Sequence, residues 1–349
     1  MIMKRREFVG SALAATAGMW PSRVSASPVP ALDEKGWNIK VGLYSITFLG
    51  IWYRGQALTL EELIKRAKKY GYDGIEIDGK HPHGNPLDMP KSRCREIRAI
   101  ADGEGIEIYG VAANNDFSSP ITEHRECQVL YVRELIRMAA DLGATTLRVF
   151  LAWPGVTQDL AIATYKISRP LWDSFHRGFS ETQIWDWCRD ALVECARHAS
   201  DAGVMLALQN HKPVVKTHHD VLRMVREVSS PNLKVSLDAP ILPVKTPEYI
   251  RRAALDVGSL QVLSHFGGEY KRGLDSKVIG EAFYAPFVQA MKQIGYKGLH
   301  RVRAVPFAAG RGRQNGWNRI RGGERADGGG VLARPHQVGS RLAPDSERE

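Results

Sequence analysis

The chain has 349 residues, 44% hydrophobic and 25% charged, with a formal net charge of +10, a composition that fits one large α/β barrel or two smaller domains and excludes a fibrous or low-complexity chain. The charge excess sits at the ends: residues 301–349 hold ten Arg against five acidic residues, residues 1–24 hold Lys4, Arg5, Arg6 and Arg23 against Glu7, and only +2 is left for residues 25–300. So neutral a centre has no phosphate-tracking face, which argues against nucleic acid as a partner. Cys94, Cys127, Cys188 and Cys195 match no zinc spacing, and Cys188 and Cys195 lie about 10 Å apart along one expected helix, too far for a bridge; all four read as structural thiols.

In chain order, residues 1–26 begin with Lys4-Arg5-Arg6-Glu7-Phe8-Val9, continue as a weakly apolar run over 9–20 and end in Val24-Ser25-Ala26. The segment resembles a twin-arginine signal peptide cleaved after Ala26, which implies the twin-arginine translocation machinery as a partner and a periplasmic location. The run is shorter than the roughly 20 apolar residues a membrane span requires. Residues 27–38 read as a linker.

From residue 39 a strand-and-helix rhythm sets in. Strands are expected over 39–48, 74–78, 106–112, 146–152, 204–210, 233–238 and 260–265, and helices over 60–70, 122–142, 181–202, 218–228 and 285–294. Gly71, Gly105, Gly143, Gly203, Gly258 and Gly295 recur where a helix must stop before the next strand. Seven such units with an eighth due predict a (β/α)8 TIM barrel over 39–300, its eighth strand and helix degraded. An open doubly wound sheet is the weaker alternative, because no glycine-rich phosphate loop follows the first strand. Two insertions follow strand ends, where barrel pockets are built: 79–88, and 153–180 with Trp153, Tyr165, Trp172 and Phe175, aromatics that suit either stacking on a sugar ring or packing the loop itself.

Side chains alternate across a strand, so the inward positions near the strand ends are Asp78, Tyr109, Arg148, Phe150, Gln209, His211, Asp238 and His265. Gln209, Asp238 and His265 lie on three consecutive strands at equivalent depth. Their mixed oxygen and nitrogen donors suit one divalent metal, Mn, Mg, Co or Zn. His211, Lys212 and Asp78 are candidate bases. Asn114, Asn115 and Arg148 are candidate partners for substrate hydroxyls or a carboxylate, with Arg148 equally suited to a buried pair with Glu107 or Glu76.

With these residues the chain, over roughly 39–298, resembles the xylose-isomerase-like barrel superfamily, the sugar phosphate isomerase/epimerase group that includes ketose 3-epimerases. The resemblance implies a metal held by a glutamate, an aspartate, a histidine and a glutamate ending strands five to eight, and an isomerase or epimerase acting on a sugar or keto-sugar. Asp238 in Ser-Leu-Asp and His265 in Ser-His-Phe match the second and third ligands. Gln209 replaces the first, and an amide cannot accept a proton as a glutamate can. Two-base epimerisation is therefore in question; metal-assisted enolisation by a single base, a keto-sugar lyase or dehydratase, and a non-catalytic exported sugar-binding barrel stay open.

After Leu299 the pattern breaks: residues 301–349 contain no Lys, nine Gly and no helical periodicity, reading as an Arg/Gly-rich disordered tail. Codons permitted for residues 299–306, read one nucleotide later, can spell Tyr-Ile-Gly-Tyr-Glu-Leu-Cys-His, which resembles the family's eighth strand with its glutamate. A frameshift near Gly298 is expected, with Arg303 in the fourth ligand's place, a barrel without its closing helix, and an impaired, poorly soluble product.

Overall fold

The computed structural model describes residues 40–49, 57–159, 162–266, 269–270, 278–279, 284–296 and 301–304. The expected signal peptide, the linker and the segment after Ala304 lie outside these residues.

Eight parallel strands close into a barrel: β1 (Lys40–Tyr44), β2 (Gly74–Asp78), β3 (Glu107–Ala112), β4 (Thr146–Val149), β5 (Met205–Gln209), β6 (Leu233–Ser236), β7 (Gln261–Phe266) and β8 (Arg301–Ala304). The eighth strand pairs with both neighbours, Arg303 standing level with His265 of β7 and Gly42 of β1. The barrel thus runs to Ala304 rather than ending at 300, and its last strand takes the first four residues of the segment read as a tail.

Helices α1 (Leu60–Lys69), α2 (Lys91–Glu104), α3 (Thr122–Asp141), α5 (Glu181–Ala202), α6 (His218–Val228), α7 (Pro247–Val257) and α8 (Tyr284–Gln293) join the barrel strands, and α4 (Tyr165–Phe175) lies within the insertion after β4. The start of α1 is set by a capping box in which Thr59 accepts from the Glu62 amide and Glu62 accepts from the Thr59 amide; loss of such a cap costs about 1 kcal/mol. Leu60, Leu63, Ile64 and Ala67 then recur at helical spacing and are buried against the barrel. The longest helix, α5, uses the same box at Ser180 and Gln183 and ends at Gly203, whose φ of 67° is left-handed. Cys188 and Cys195 lie on its buried stripe beside Leu192 and Ala199. Three cysteines are buried, as packing thiols should be, whereas Cys127 is exposed on α3.

The main core fills the space between strands and helices. Inside the barrel a small second cluster of Tyr109, Ala207 and Leu263 forms an apolar floor. Glycine is required there on neighbouring strands: a Cβ on Gly42 would stand 2.1 Å from Cε1 of Tyr109, and one on Gly74 2.4 Å from the Glu107 carbonyl oxygen. With Tyr109 occupying that space, the inward side chains nearer the strand ends form a separate polar layer above it.

Three helices lie outside the expected ones. α2 is rich in charge around a stripe of Cys94, Ile97 and Ala101 only. α4 contains Pro170, whereas α7 is legible: Thr246 caps it, Pro247 stands in its first turn, and Ile250, Ala253, Ala254 and Val257 recur at helical spacing on its buried face. No helix among the described residues is long and apolar enough to cross a membrane.

Candidate active site

The polar layer is built by side-chain alternation. Gly42 and Tyr44 of β1, Glu76 and Asp78 of β2, Arg148 of β4, Gln209 of β5 and His265 of β7 share the inward face, and Asp238 follows directly after β6. Burial is nearly complete, with Glu76 at 0%, Arg148 at 3% and Asp238 at 3% exposure. Charges at that depth persist only when paired.

Their pairing forms one connected network. Arg148 Nε donates to Glu76 Oε1 at 2.9 Å, and Arg148 Nη1 donates to Gln209 Oε1 at 2.8 Å. Gln209 Nε2 donates to Asp238 Oδ2 and stands 3.2 Å from His265 Nδ1. His265 bridges two carboxylates, with Nδ1 2.9 Å from Asp238 Oδ2 and Nε2 3.1 Å from Glu76 Oε2. Tyr44 stacks on His265 with centroids 5.7 Å apart, and the Arg148 guanidinium lies 4.9 Å from the Tyr44 ring centre and 5.2 Å from that of Phe150.

Burial by itself would raise the Asp238 pKa, but His265 and Arg148 outweigh it and hold this carboxyl below its ordinary value. The guanidinium of Arg148 loses solvation, yet the field of Glu76 and Tyr44 raises its pKa, so it is a fixed cation. Asp78 forms a second knot: its Oδ2 accepts from the Tyr44 hydroxyl at 2.6 Å and from Asn114 Nδ2 at 2.8 Å. Desolvation raises its pKa despite those bonds.

The structure brings Asp78, Asn114, Arg148, Gln209, Asp238 and His265 into this layer. His211 lies beside it, its ring edge-on to Phe150 at 5.1 Å, and burial pushes its pKa down to about 4. Its Nδ1 lies 2.5 Å from the Lys212 carbonyl and must carry the proton, which leaves a lone pair on Nε2. Lys212 itself is exposed and makes no contact with the network. Asn115 is a structural clip: its amide donates to the Phe150 carbonyl at 2.8 Å and accepts from the Phe150 amide at 3.0 Å. Asn210 clips Asp238 in the same way, at 3.2 and 2.7 Å.

Tyr44 is absent from the sequence candidates, and Glu76 is expected only as one of two possible buried partners of Arg148, the one the structure shows. Glu76 shares Asp78's parity between Ile75 and Ile77, and that signal was legible. Tyr44 was hidden inside a strand expected to reach 48, whereas the strand stops at Tyr44 and a 3-10 turn, Ser45–Phe48, follows.

In the insertion after β4 the aromatics mainly secure the loop. Trp172 stacks on His176 at 3.9 Å and donates to Ser118 Oγ at 2.9 Å, while His176 Nε2 lies 3.1 Å from that same hydroxyl. Trp153 Nε1 donates to the Tyr165 hydroxyl at 3.2 Å.

Asp238 and His265 fit a cation in spacing, their Oδ2 and Nδ1 lying 2.9 Å apart, whereas Gln209 presents its amide Nε2, not its oxygen, to both of them. An ion with bonds of about 2.1 Å needs neighbouring donors ~3–3.4 Å apart. Gln209 fits less well. Turning its oxygen toward the ion would turn its NH2 toward Arg148, donor against donor.

A closed parallel barrel with charged side chains gathered at the C-terminal ends of its strands is the architecture of barrel enzymes. This chain belongs to the xylose isomerase-like TIM barrel family, whose model matches residues 64–304. It is 24% identical over 266 residues to fructoselysine 3-epimerase of Shigella flexneri, covering 72% of this chain and 87% of that protein. The corresponding protein of Escherichia coli O157:H7 matches equally, at 24% over 266 residues. Among solved structures, D-psicose 3-epimerase from Clostridium cellulolyticum H10 superposes with a TM-score of 0.58 at 21% identity over 81% of this chain and 89% of that one. The 3-keto-D-glucoside 4-epimerase of E. coli superposes with a TM-score of 0.60 at 16% identity, covering 82% and 97%. These relatives are sugar epimerases, and the expectation of an isomerase- or epimerase-like enzyme agrees with them.

Proposed function

We propose that the barrel is a metal-dependent sugar isomerase or epimerase acting on a keto-sugar by enolisation, and that this chain carries it in impaired form. The observation that supports the reading is the convergence of Gln209, Asp238 and His265 at the strand ends, with Asp238 Oδ2 and His265 Nδ1 2.9 Å apart and the Gln209 amide against both. Asp238, His265 and, less favourably, Gln209 would hold a divalent cation there. Such an ion would polarise the substrate carbonyl and acidify the adjacent carbon.

The chain's own residues then divide the work. Arg148, fixed by Glu76, offers the Nη2 that finds no partner among the described residues, a donor suited to a substrate oxygen. Asn114 and Asp78, with Tyr44, line the β1 to β3 side and suit hydroxyl recognition. His211 Nε2 holds the lone pair able to take the α-proton. Lys212 is exposed and more remote, and is the weaker choice. Gln209 cannot serve as a second base, so a single-base outcome, dehydration or bond cleavage of the enolised sugar, is the second reading and the one this amide favours.

Impairment rests on β8. Arg303 stands level with His265 in the strand register, where permitted codons read one nucleotide later can place a glutamate. A cation in place of a ligand carboxylate weakens metal binding. The twin-arginine motif, with Arg5 and Arg6, supports export of the folded barrel to the periplasm.

The test is solvent-deuterium incorporation at the carbon next to the carbonyl of a ketohexose, with Mn2+ added, for this chain and for a frame-restored version. Exchange by the restored protein and little by this chain is the expected result. No exchange and no bound metal in either protein would overturn the proposal in favour of a binding barrel.

A further inference from the structure

Outside the barrel, at the start of α6, two adjacent histidines and an aspartate of α7 come together. Donor atoms of His218, His219 and Asp256 all lie within 4.8 Å of one another. Neighbouring residues on a helix point about 100° apart, yet these two rings have centroids 3.9 Å apart. His218 is 1% exposed, Asp256 is half-buried, and His219 faces solvent.

We infer that this cluster is a second metal site, for a first-row transition ion of the Zn2+ kind, held in the outer helical layer and independent of the barrel chemistry. Two imidazoles and one carboxylate, with an open fourth position on the solvent side, are a donor set suited to such an ion.

The surrounding groups already occupy the places that a metal site needs. His218 Nε2 lies 3.2 Å from Asp256 Oδ2, and its Nδ1 lies 3.4 Å from the Tyr249 hydroxyl. Arg252 Nε lies 2.7 Å from the other oxygen, Asp256 Oδ1. In the metal-free state Nε2 carries the proton and donates it in a hydrogen bond to Asp256 Oδ2. On binding, the ion takes Nε2 and Oδ2, the single imidazole proton moves to Nδ1, and the Tyr249 oxygen accepts it. Each buried ligand thus keeps an orienting partner, Tyr249 for His218 and Arg252 for Asp256, and no net proton is lost from the imidazole. Asp220 is committed elsewhere, accepting from the amides of Lys216 and Thr217. The remaining adjustment is a turn of the exposed His219 ring to bring donors within 4.8 Å to the ~3.4 Å of a tetrahedral ion. The ion would tie the first turn of α6 to α7.

The experiment titrates Zn2+ against a competing chromophoric chelator, using the full chain without a polyhistidine tag, and follows the thermal midpoint with and without Zn2+. Wild type and Asp238→Ala should both bind an ion that raises the midpoint. His219→Ala should bind it more than roughly 100-fold more weakly and lose the thermal shift, since even second-layer partners cost about 10–100-fold. His219 is exposed, so this variant keeps its fold, which circular dichroism checks. Asp256→Asn should behave like His219→Ala. Undiminished Zn2+ affinity in His219→Ala, or loss of the thermal shift in Asp238→Ala alone, would overturn the inference, and the second result would move the ion to the barrel.

Discussion

The pair formed by Glu76 and Arg148 lets the polar layer be tested by stability alone, without a substrate. Both side chains are almost fully buried, and they meet at 2.9 Å. Arg148→Met keeps the length of the side chain and removes the charge. It leaves Glu76 Oε1 without its cation and Gln209 Oε1 without the donor now at 2.8 Å. Breaking a buried pair from one side costs about 3–5 kcal/mol, because the remaining charge stays desolvated. With a urea dependence of about 3 kcal/mol/M, the midpoint should fall by about 1–1.7 M. Adding Glu76→Leu removes the stranded charge, and the double variant should recover at least half of the loss, although His265 Nε2 then gives up its 3.1 Å partner. Urea unfolding followed by tryptophan fluorescence measures all three proteins. A loss below about 1 kcal/mol in Arg148→Met, or a double variant no more stable than the single, would refute the claim that this pair is a desolvated unit.

Gln209→Glu should raise Mn2+ affinity at least about tenfold, because a carboxylate can face Arg148 with one oxygen and the ion with the other; equal affinity by isothermal titration would count against the barrel site. Burial lowers the Lys80 pKa to about 8, below its unfolded value of about 10.4. Between those values the unfolded chain binds the extra proton, so the burial penalty is full below pH 8 and relieved as pH rises toward 10.4; Lys80 should label with acetic anhydride with a midpoint near pH 8, read by mass spectrometry, and a midpoint near 10 would refute this. His176→Ala removes the ring on which Trp172 stacks at 3.9 Å and should speed proteolysis within the insertion while sparing the barrel, as peptide mapping would show. Replacing Arg5 and Arg6 with Lys should hold the precursor in the cytoplasm, and normal export on fractionation would mean the signal is misread.

Local patterns in the chain determine the repeat and its phase. The apolar stripe of α1, the glycines that end α2 and α5, and period-two alternation in β5 and β6 depend only on near neighbours, so the barrel and its inward positions are legible before any tertiary contact forms. Tertiary structure decides which inward groups meet. Glu76 and Arg148 are 72 residues apart, and His265 reaches across the barrel to Glu76 over a separation of 189 residues; closure of the sheet, not periodicity, sets those distances. The same closure places Arg303 level with His265, and it makes a four-residue strand from a segment whose composition reads as a tail, because main-chain hydrogen bonds to β1 and β7 do not depend on side-chain pattern. Weakly patterned α2 and α4 were silent for a related reason. Their helicity comes from the barrel and loops they pack against, whose surface no local window of sequence contains.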